Sequence, residues 1–233
     1  MKTSIYIPVD NTKLDKLVDI VKSYNAGSVI PDEIVINAMG ITSQESIDTL
    51  REIQDLKQDN VVIYACKTNG TISENKNYAS KITLNDIIMY HNPDMIPSMK
   101  RVEVVKRYFE DTDKCVVIHS QYNFDVFGSE SIPVDNLRII PSSTIYERYF
   151  PFKVKENAWQ YTRTFGQELG GRYLDYESIC VRKEVLNEFK WKNSFELEIY
   201  EGNYDGECYE FCIDTLYKYN RTDILNIPLT ITN

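Results

Sequence analysis

Short apolar runs that favour extended backbone alternate with longer runs of helical period through the first 120 residues, and this alternation limits the fold more than any single motif. Ser4 to Val9, Glu33 to Ile36, Val61 to Cys66 and Asp86 to Tyr90 are the extended runs. Between them Leu14, Leu17, Val18 and Val21, then Ile47, Leu50, Ile53 and Leu56, recur at spacings that place them on one helix face. Gly27 stops the first helix, and Thr42 with Glu45 reads as a capping box opening the second. Lys67-Thr68-Asn69-Gly70 is a turn by composition. Such a series implies a parallel sheet with right-handed crossovers.

The stretch from Ser73 to Asp94 reads as a short polar helix, a turn, a buried strand and a polar loop. Its strand ends in His91-Asn92-Pro93-Asp94, which puts polar side chains at a carboxyl end, where open α/β sheets bind ligands. Pro97 suits the first turn of a helix carrying Met99, Val102, Val105 and Phe109, whose amino end would face the same place and favour anions. Cys115 to His119 is a further strand. Residues 120–176 lose clear periodicity and are rich in Tyr, Phe, Arg and Pro, as in Tyr146 to Phe152, while Gly166 and Gly170-Gly171 mark a flexible or tightly turned piece. Ser178 to Arg182 is expected as a strand, followed by a short helix with Val185, Leu186 and Phe189, and by Trp191. Cys208, Phe211, Cys212, Thr215, Leu216 and Tyr219 form one helical stripe, with Asp205 and Glu207 at its amino end, where carboxylates are favoured. Ile224 to Ile231 closes as a strand-like run broken by Pro228.

A chain of 233 residues without linker-like segments is expected to form one domain. Its formal charge of −9 argues against nucleic acid and anionic membrane surfaces as partners, since both reward clustered Lys and Arg. The opening MKTSIYIPVD is too briefly apolar for a secretory signal, and no run approaches the ~20 apolar residues that span a bilayer. A cytoplasmic protein is the expectation. Five cysteines, an odd number, read as buried free thiols in a reducing compartment. The Cys208-x3-Cys212 spacing also reads as core thiols, because the two histidines lie far off in sequence.

Ile5-Tyr6-Ile7-Pro8-Val9-Asp10-Asn11 on the first strand, Lys76-Asn77 ahead of the fourth and His91-Asn92-Pro93-Asp94 after it follow one another in a known pattern over residues 3 to 120. In order and spacing this resembles the family 2 glycosyltransferases of the GT-A fold. That family begins Ile-x-Ile-Pro-x-x-Asn, carries Arg-Asn before the fourth strand and follows that strand with an Asp-x-Asp or Asp-x-Asp-Asp loop. The resemblance implies a GT-A-like, Rossmann-like α/β fold, with a mostly parallel central sheet flanked by helices and an irregular acceptor-side region. Residues 1–120 would be the nucleotide-sugar-binding half and residues 121–233 the acceptor-side half of one domain. The donor would be UDP- or GDP-linked, its base toward Pro8, Asp10 and Asn37, its phosphates facing Lys76, with Asn77 and His91 also in the donor site. Asp94 and His91 would be the remaining ligands for a divalent cation, Mn2+ or Mg2+, held weakly or not at all by the free protein. Gly206-Glu207-Cys208-Tyr209-Glu210-Phe211 matches the start of the family's late helix, with Cys208 where the family has Asp. Glu207 first and Asp205 second are therefore the expected bases. The implied reaction moves a sugar to a hydroxyl on a glycan or protein, and a homo-oligomer stays open. The competing class is a catalytically inactive GT-A-like module that binds a nucleotide or glycan, supported by the missing acids at positions 91, 93 and 208. A sugar-nucleotide pyrophosphorylase would need a Gly-rich, Arg-containing loop after the first strand, and none is there.

Overall fold

The computed structural model describes residues 1–123, 139–140, 173–192, 211, 215 and 222–232. Four strands, β1 (Thr3–Val9), β2 (Glu33–Ala38), β3 (Val61–Ala65) and β4 (Ile87–Tyr90), lie parallel in the order β3-β2-β1-β4. Their side chains alternate between two faces. Ile5, Ile7 and Val9, with Ile34, Ile36, Ala38, Ile87 and Met89, point into one apolar cluster. Helices α1 (Leu17–Asn25), α2 (Gln44–Asp55) and α5 (Arg101–Glu110) pack into that cluster, which Val117, Cys180, Leu225 and Leu229 extend. The intervening strand positions, among them Ser4, Tyr6, Asn37 and Tyr90, turn to the other face, over which α3 (Ile72–Asn77) packs. A short α4 (Ala79–Ile82) leads from there into β4.

Burial rather than capping holds α1. Its amino end has Lys16 at the cap position with no side-chain cap hydrogen bond, a deficit of about 1 kcal/mol. Leu17, Ile20 and Val21 are buried completely, at about 2 kcal/mol each, which outweighs it.

Beyond β4 the sheet becomes mixed. β8 (Tyr173–Arg182) lies antiparallel between β4 and β6 (Val116–Asn123), and β9 (Thr222–Thr232) runs parallel to β6. β5 (Ile96–Pro97) and β7 (Ile139–Ile140) pair antiparallel with β9. Strands β1 to β4, β6 and β9 thus run one way, and the sheet is mostly parallel and flanked by helices, as expected. A short α6 (Val185–Glu188) follows β8. No helix among the described residues is long and apolar enough to cross a membrane.

Several local expectations are corrected. Pro97 belongs to β5, paired with Thr230, and α5 begins at Arg101, leaving Met99 60% exposed instead of on the apolar face. Ser43 caps α2, accepting from Ser46 N at 3.1 Å, so Thr42 and Glu45 form no capping box. The capping box belongs to Thr71 and Glu74 at the start of α3. Cys115 and Cys180 are buried thiols, but Cys66, just past the edge strand β3, is exposed. Pro228 does not break β9: it sits opposite Ser120 where the β6–β9 register shifts, a place that tolerates a residue without an N–H. Phe211 and Thr215, the described members of the late stripe, are helical and buried. Residues 146–152, Gly166, Gly170, Gly171, Asp205 and Glu207 lie outside the described residues.

Candidate functional site

The strand order runs outward from β1 through β2 to β3, then reverses so that β4 lies on the other side of β1. The chain leaving β1 enters α1, while the chain leaving β4 goes by way of β5, which packs against α1, into α5. In sheets of this kind a crevice opens at the carboxyl edge between two such strands, and ligands bind there. Residues 10–16 form one lip. Asp10 folds it by accepting from Thr12 N at 2.8 Å and Thr12 Oγ1 at 2.6 Å, and Asn11 ties it to α2 through Ser46 Oγ at 2.6 Å. Residues 91–95 form the other lip, where Asn92 Oδ1 accepts from Asp94 N at 2.9 Å. Lys13 Nζ reaches across to Asp94 Oδ2 at 2.6 Å, and Lys16 Nζ donates to the Asp94 carbonyl at 3.2 Å. Lys13 and Asp94 are both about half-exposed.

His91, which opens the second lip, is turned inward and wholly buried. Arg101 donates through Nη1 to the Tyr24 hydroxyl, and that hydroxyl donates to His91 Nδ1 at 2.9 Å. His91 Nε2 in turn donates to the Met95 carbonyl at 3.0 Å. The guanidinium at one end sets the polarity of this chain of bonds and hence the tautomer of the imidazole. Burial, and after it the Arg101 charge, hold His91 well below the ordinary histidine range, so the ring is neutral. Arg101 is itself fully buried and grips the carbonyls of Tyr90 and Ser178, both at 2.7 Å, and Nε2 of His119 at 3.1 Å.

On the opposite sheet face Asn75 fastens the carboxyl ends of β1 and β2. Its Nδ2 donates to the Asn37 carbonyl at 2.9 Å and the Val9 carbonyl at 3.2 Å, while its Oδ1 accepts from Asn37 Nδ2 at 2.8 Å. The Tyr6 hydroxyl donates to Asn75 and accepts from Asn37 Nδ2 at 2.8 Å. Burial, with Tyr90 nearby, pushes the Tyr6 phenol far above its ordinary range, so it keeps its proton. Further out, Trp191 packs edge-on against Tyr90 and stacks on Phe211 at 4.1 Å between centroids. Lys76 Nζ lies 4.8 Å over the Trp191 ring, and Asn77 clamps the Trp191 backbone with two bonds of 2.9 Å.

Pro8, Asp10, Asn37, His91 and Asp94 stand at or just past the carboxyl ends of β1, β2 and β4, in unequal roles, while Asn77 is tied to Trp191. Asp10 and Asp94 lie on the open lips. Asn37 Nδ2, the Asn77 amide and both His91 nitrogens are engaged within the fold, and Lys76 is 4% exposed beneath Trp191. Glu207 and Asp205 fall outside the described residues. Asn75, Arg101, Lys13 and Lys16 escape the sequence reading. Arg101 carries a signal, since it stands at helical spacing from Val105 and Tyr108 on a buried stripe. Lys13 and Lys16 carry none beyond flanking the first helical residues.

A divalent cation does not fit this donor set. Both histidines of the chain are wholly buried, His91 has both ring nitrogens engaged, and Asp94 is bonded to Lys13. Among the described residues no group of three His, Cys, Asp or Glu could hold a metal ion. At the opposite, amino edge lies a hollow of about 520 Å³ with Asp32, Glu33, Asp59 and Asp86 in its lining. That acidic lining repels nucleotide phosphates.

The architecture is that of the GT-A glycosyltransferases. The chain resembles, over its whole length, the crystal structure of S. aureus TarS 1-349 in complex with UDP-GlcNAc, with a TM-score of 0.64 and 11% identity, spanning 58% of that chain. It resembles glucosyl-3-phosphoglycerate synthase from Mycobacterium tuberculosis in complex with Mg2+ and UDP, with a TM-score of 0.60 and 10% identity, spanning 71% of that chain. For the same synthase with Mn2+, UDP and phosphoglyceric acid the TM-score is 0.56 at 12% identity, with 96% of this chain and 66% of that one covered. No protein-family model and no curated protein matches the sequence. At these identities the likeness is one of fold.

Proposed function

We propose that the protein is a glycosyltransferase that moves a sugar from a UDP- or GDP-linked donor to a hydroxyl on a glycan or protein. The observation that supports this reading is the strand order around β1 in a GT-A fold, which brings the lip of Asp10, Lys13 and Lys16 against that of Asp94 at the carboxyl edge. The UDP bound in the TarS and mycobacterial synthase structures supports a nucleotide diphosphate as the ligand class. The base would lie toward Pro8 and Asp10 and the diphosphate toward the two lysines. In the transfer, the acceptor oxygen bonds to the anomeric carbon as its proton passes to a carboxylate. The bond from that carbon to the diphosphate oxygen breaks, and its electron pair leaves with the nucleoside diphosphate. Glu207, then Asp205, is the proposed base, being the acidic group that opens the stripe whose Phe211 stacks on Trp191.

Calorimetry against UDP, GDP and their sugar conjugates, followed by donor hydrolysis, tests the reading. One nucleotide class is expected to bind and its sugar conjugate to be hydrolysed slowly; absence of binding across the panel overturns it. Glu207→Gln is expected to lower turnover about 10²- to 10⁴-fold with donor affinity nearly intact. Retention of activity within a few-fold in both Glu207→Gln and Asp205→Asn would dismiss these bases. The inactive-module reading draws on His91, which is folded inward where an acidic loop would stand. Nucleotide binding without hydrolysis or transfer across the panel would favour it.

A further inference from the structure

We propose that Lys13 and Lys16 neutralise the diphosphate of the donor directly, in the place where a divalent cation would otherwise stand, and that Asp94 holds Lys13 ready until the donor arrives. The inference rests on the nucleotide-sugar reading and goes beyond it by assigning the charge that the leaving group needs. Both ammonium groups converge on Asp94 from the opposite lip of the crevice, Lys13 on its carboxylate at 2.6 Å and Lys16 on its carbonyl at 3.2 Å. A cation binding at Asp94 would have to displace Lys13 and would find no imidazole beside it, because His91 is buried with both nitrogens bonded. A diphosphate meets the opposite situation. An exposed pair such as Lys13 with Asp94 contributes little to stability, so a ligand with more negative charge than one carboxylate can take over the ammonium group. Nor does Lys16 serve its helix: a positive charge at the amino end of α1 opposes the helix dipole, and the residue makes no side-chain cap. The lip is preformed, since the Asp10 turn and the Asn11 bond to Ser46 fix the backbone from which both lysines extend. Charge placed in advance where the leaving diphosphate develops its own is the arrangement that lowers the barrier most.

Calorimetric titration of the full chain with UDP and GDP, in EDTA and in Mn2+, with uridine and guanosine as controls, provides the test. The wild type is expected to bind one nucleoside diphosphate in EDTA within about three-fold of its affinity in Mn2+, and far better than the matching nucleoside. Lys13→Ala/Lys16→Ala is expected to lower that affinity in EDTA by about ten-fold or more, with the preference over the nucleoside largely lost. Asp94→Asn is expected to bind at least as tightly as wild type in EDTA, because a competitor for Lys13 has been removed. Lys22→Ala, at an exposed site elsewhere on α1, should stay within about two-fold. Thermal unfolding within a few degrees of wild type establishes that each variant is folded. Binding that requires Mn2+ and is lost in Asp94→Asn overturns the lysine assignment and leaves the transferase reading standing. Wild-type affinity in the double lysine variant does the same. Failure of the wild type to bind either nucleotide, with or without Mn2+, overturns both.

Discussion

A histidine held neutral inside a folded chain, but free to take up a proton when the chain unfolds, weakens the fold in acid. The unfolded chain protonates His91 near 6.5, whereas the folded chain does so only well below that value, because burial and Arg101 oppose the charge. The stability that His91 confers is therefore complete above about pH 6.5 and declines as the pH falls through that value toward the folded pKa, by up to about 1.4 kcal/mol per pH unit. Thermal unfolding between about pH 8 and pH 5 should show a steeper loss in wild type than in His91→Gln, which has nothing to protonate there. His119, whose charge also opposes protonation of His91, is present in both chains. Equal losses in the two would relieve His91 of this role. The same residue shows how far a motif can be read: its place at the end of β4 follows from the run Ile87 to Tyr90. Its inward orientation depends on Tyr24 and Arg101, which no local pattern connects to it.

At the scale of elements, the turn after β2 is set by Gly40. Its φ is +68°, and a Cβ there would meet Asn69 Oδ1 at 2.5 Å, because the turn hydrogen-bonds to the loop after β3 through Gly40 N to the Thr68 carbonyl and Ile41 N to the Cys66 carbonyl. Gly40→Ala should cost about 1 to 3 kcal/mol in denaturant unfolding, combining left-handed strain with the clash. Adding Asn69→Ala should recover only the clash, and full recovery would show that the backbone carries no strain. The elements on the core side were legible because their periods are pure. Ile5, Ile7 and Val9 alternate along β1, and Leu17, Val18 and Val21 recur along α1. Pro97 misled because proline suits both the first turn of a helix and a short edge strand. The choice was made by Ser98 N bonding the Leu229 carbonyl, a partner distant in sequence. Thr42 with Glu45 and Thr71 with Glu74 carry the same capping signature, and only the second forms, since Ser43 captures the start of α2.

For the molecule as a whole, the half built from consecutive strands could be inferred from the order of its elements, and the other half could not. β8 enters between β4 and β6 against the direction of both, and nothing in Ser178 to Arg182 specifies those neighbours. The same limit hid the lysine clamp, whose two sides come from lips far apart in the chain, although the carboxyl edge itself was legible. The pairing of Ile96 with Ile231 and of Pro97 with Thr230 bears on the order of events during synthesis. Strands β1 to β4 can collapse with α1 and α2 as soon as they emerge, but β5 has no described strand partner except β9. Before β9 is made the chain leaving the Asp94 lip is held by earlier residues alone, through Lys13 and Lys16 to Asp94, His91 to the Met95 carbonyl and Ser28 N to the Met99 carbonyl. Residues 222–232 then add its strand pairing. Closing so long a loop is slow, so the pairing of β5 with β9 is among the later contacts to form. A ribosome-bound chain that stops short of β9 would accordingly hold the Asp94 lip against α1 before β5, just beyond that lip, is tied into the sheet.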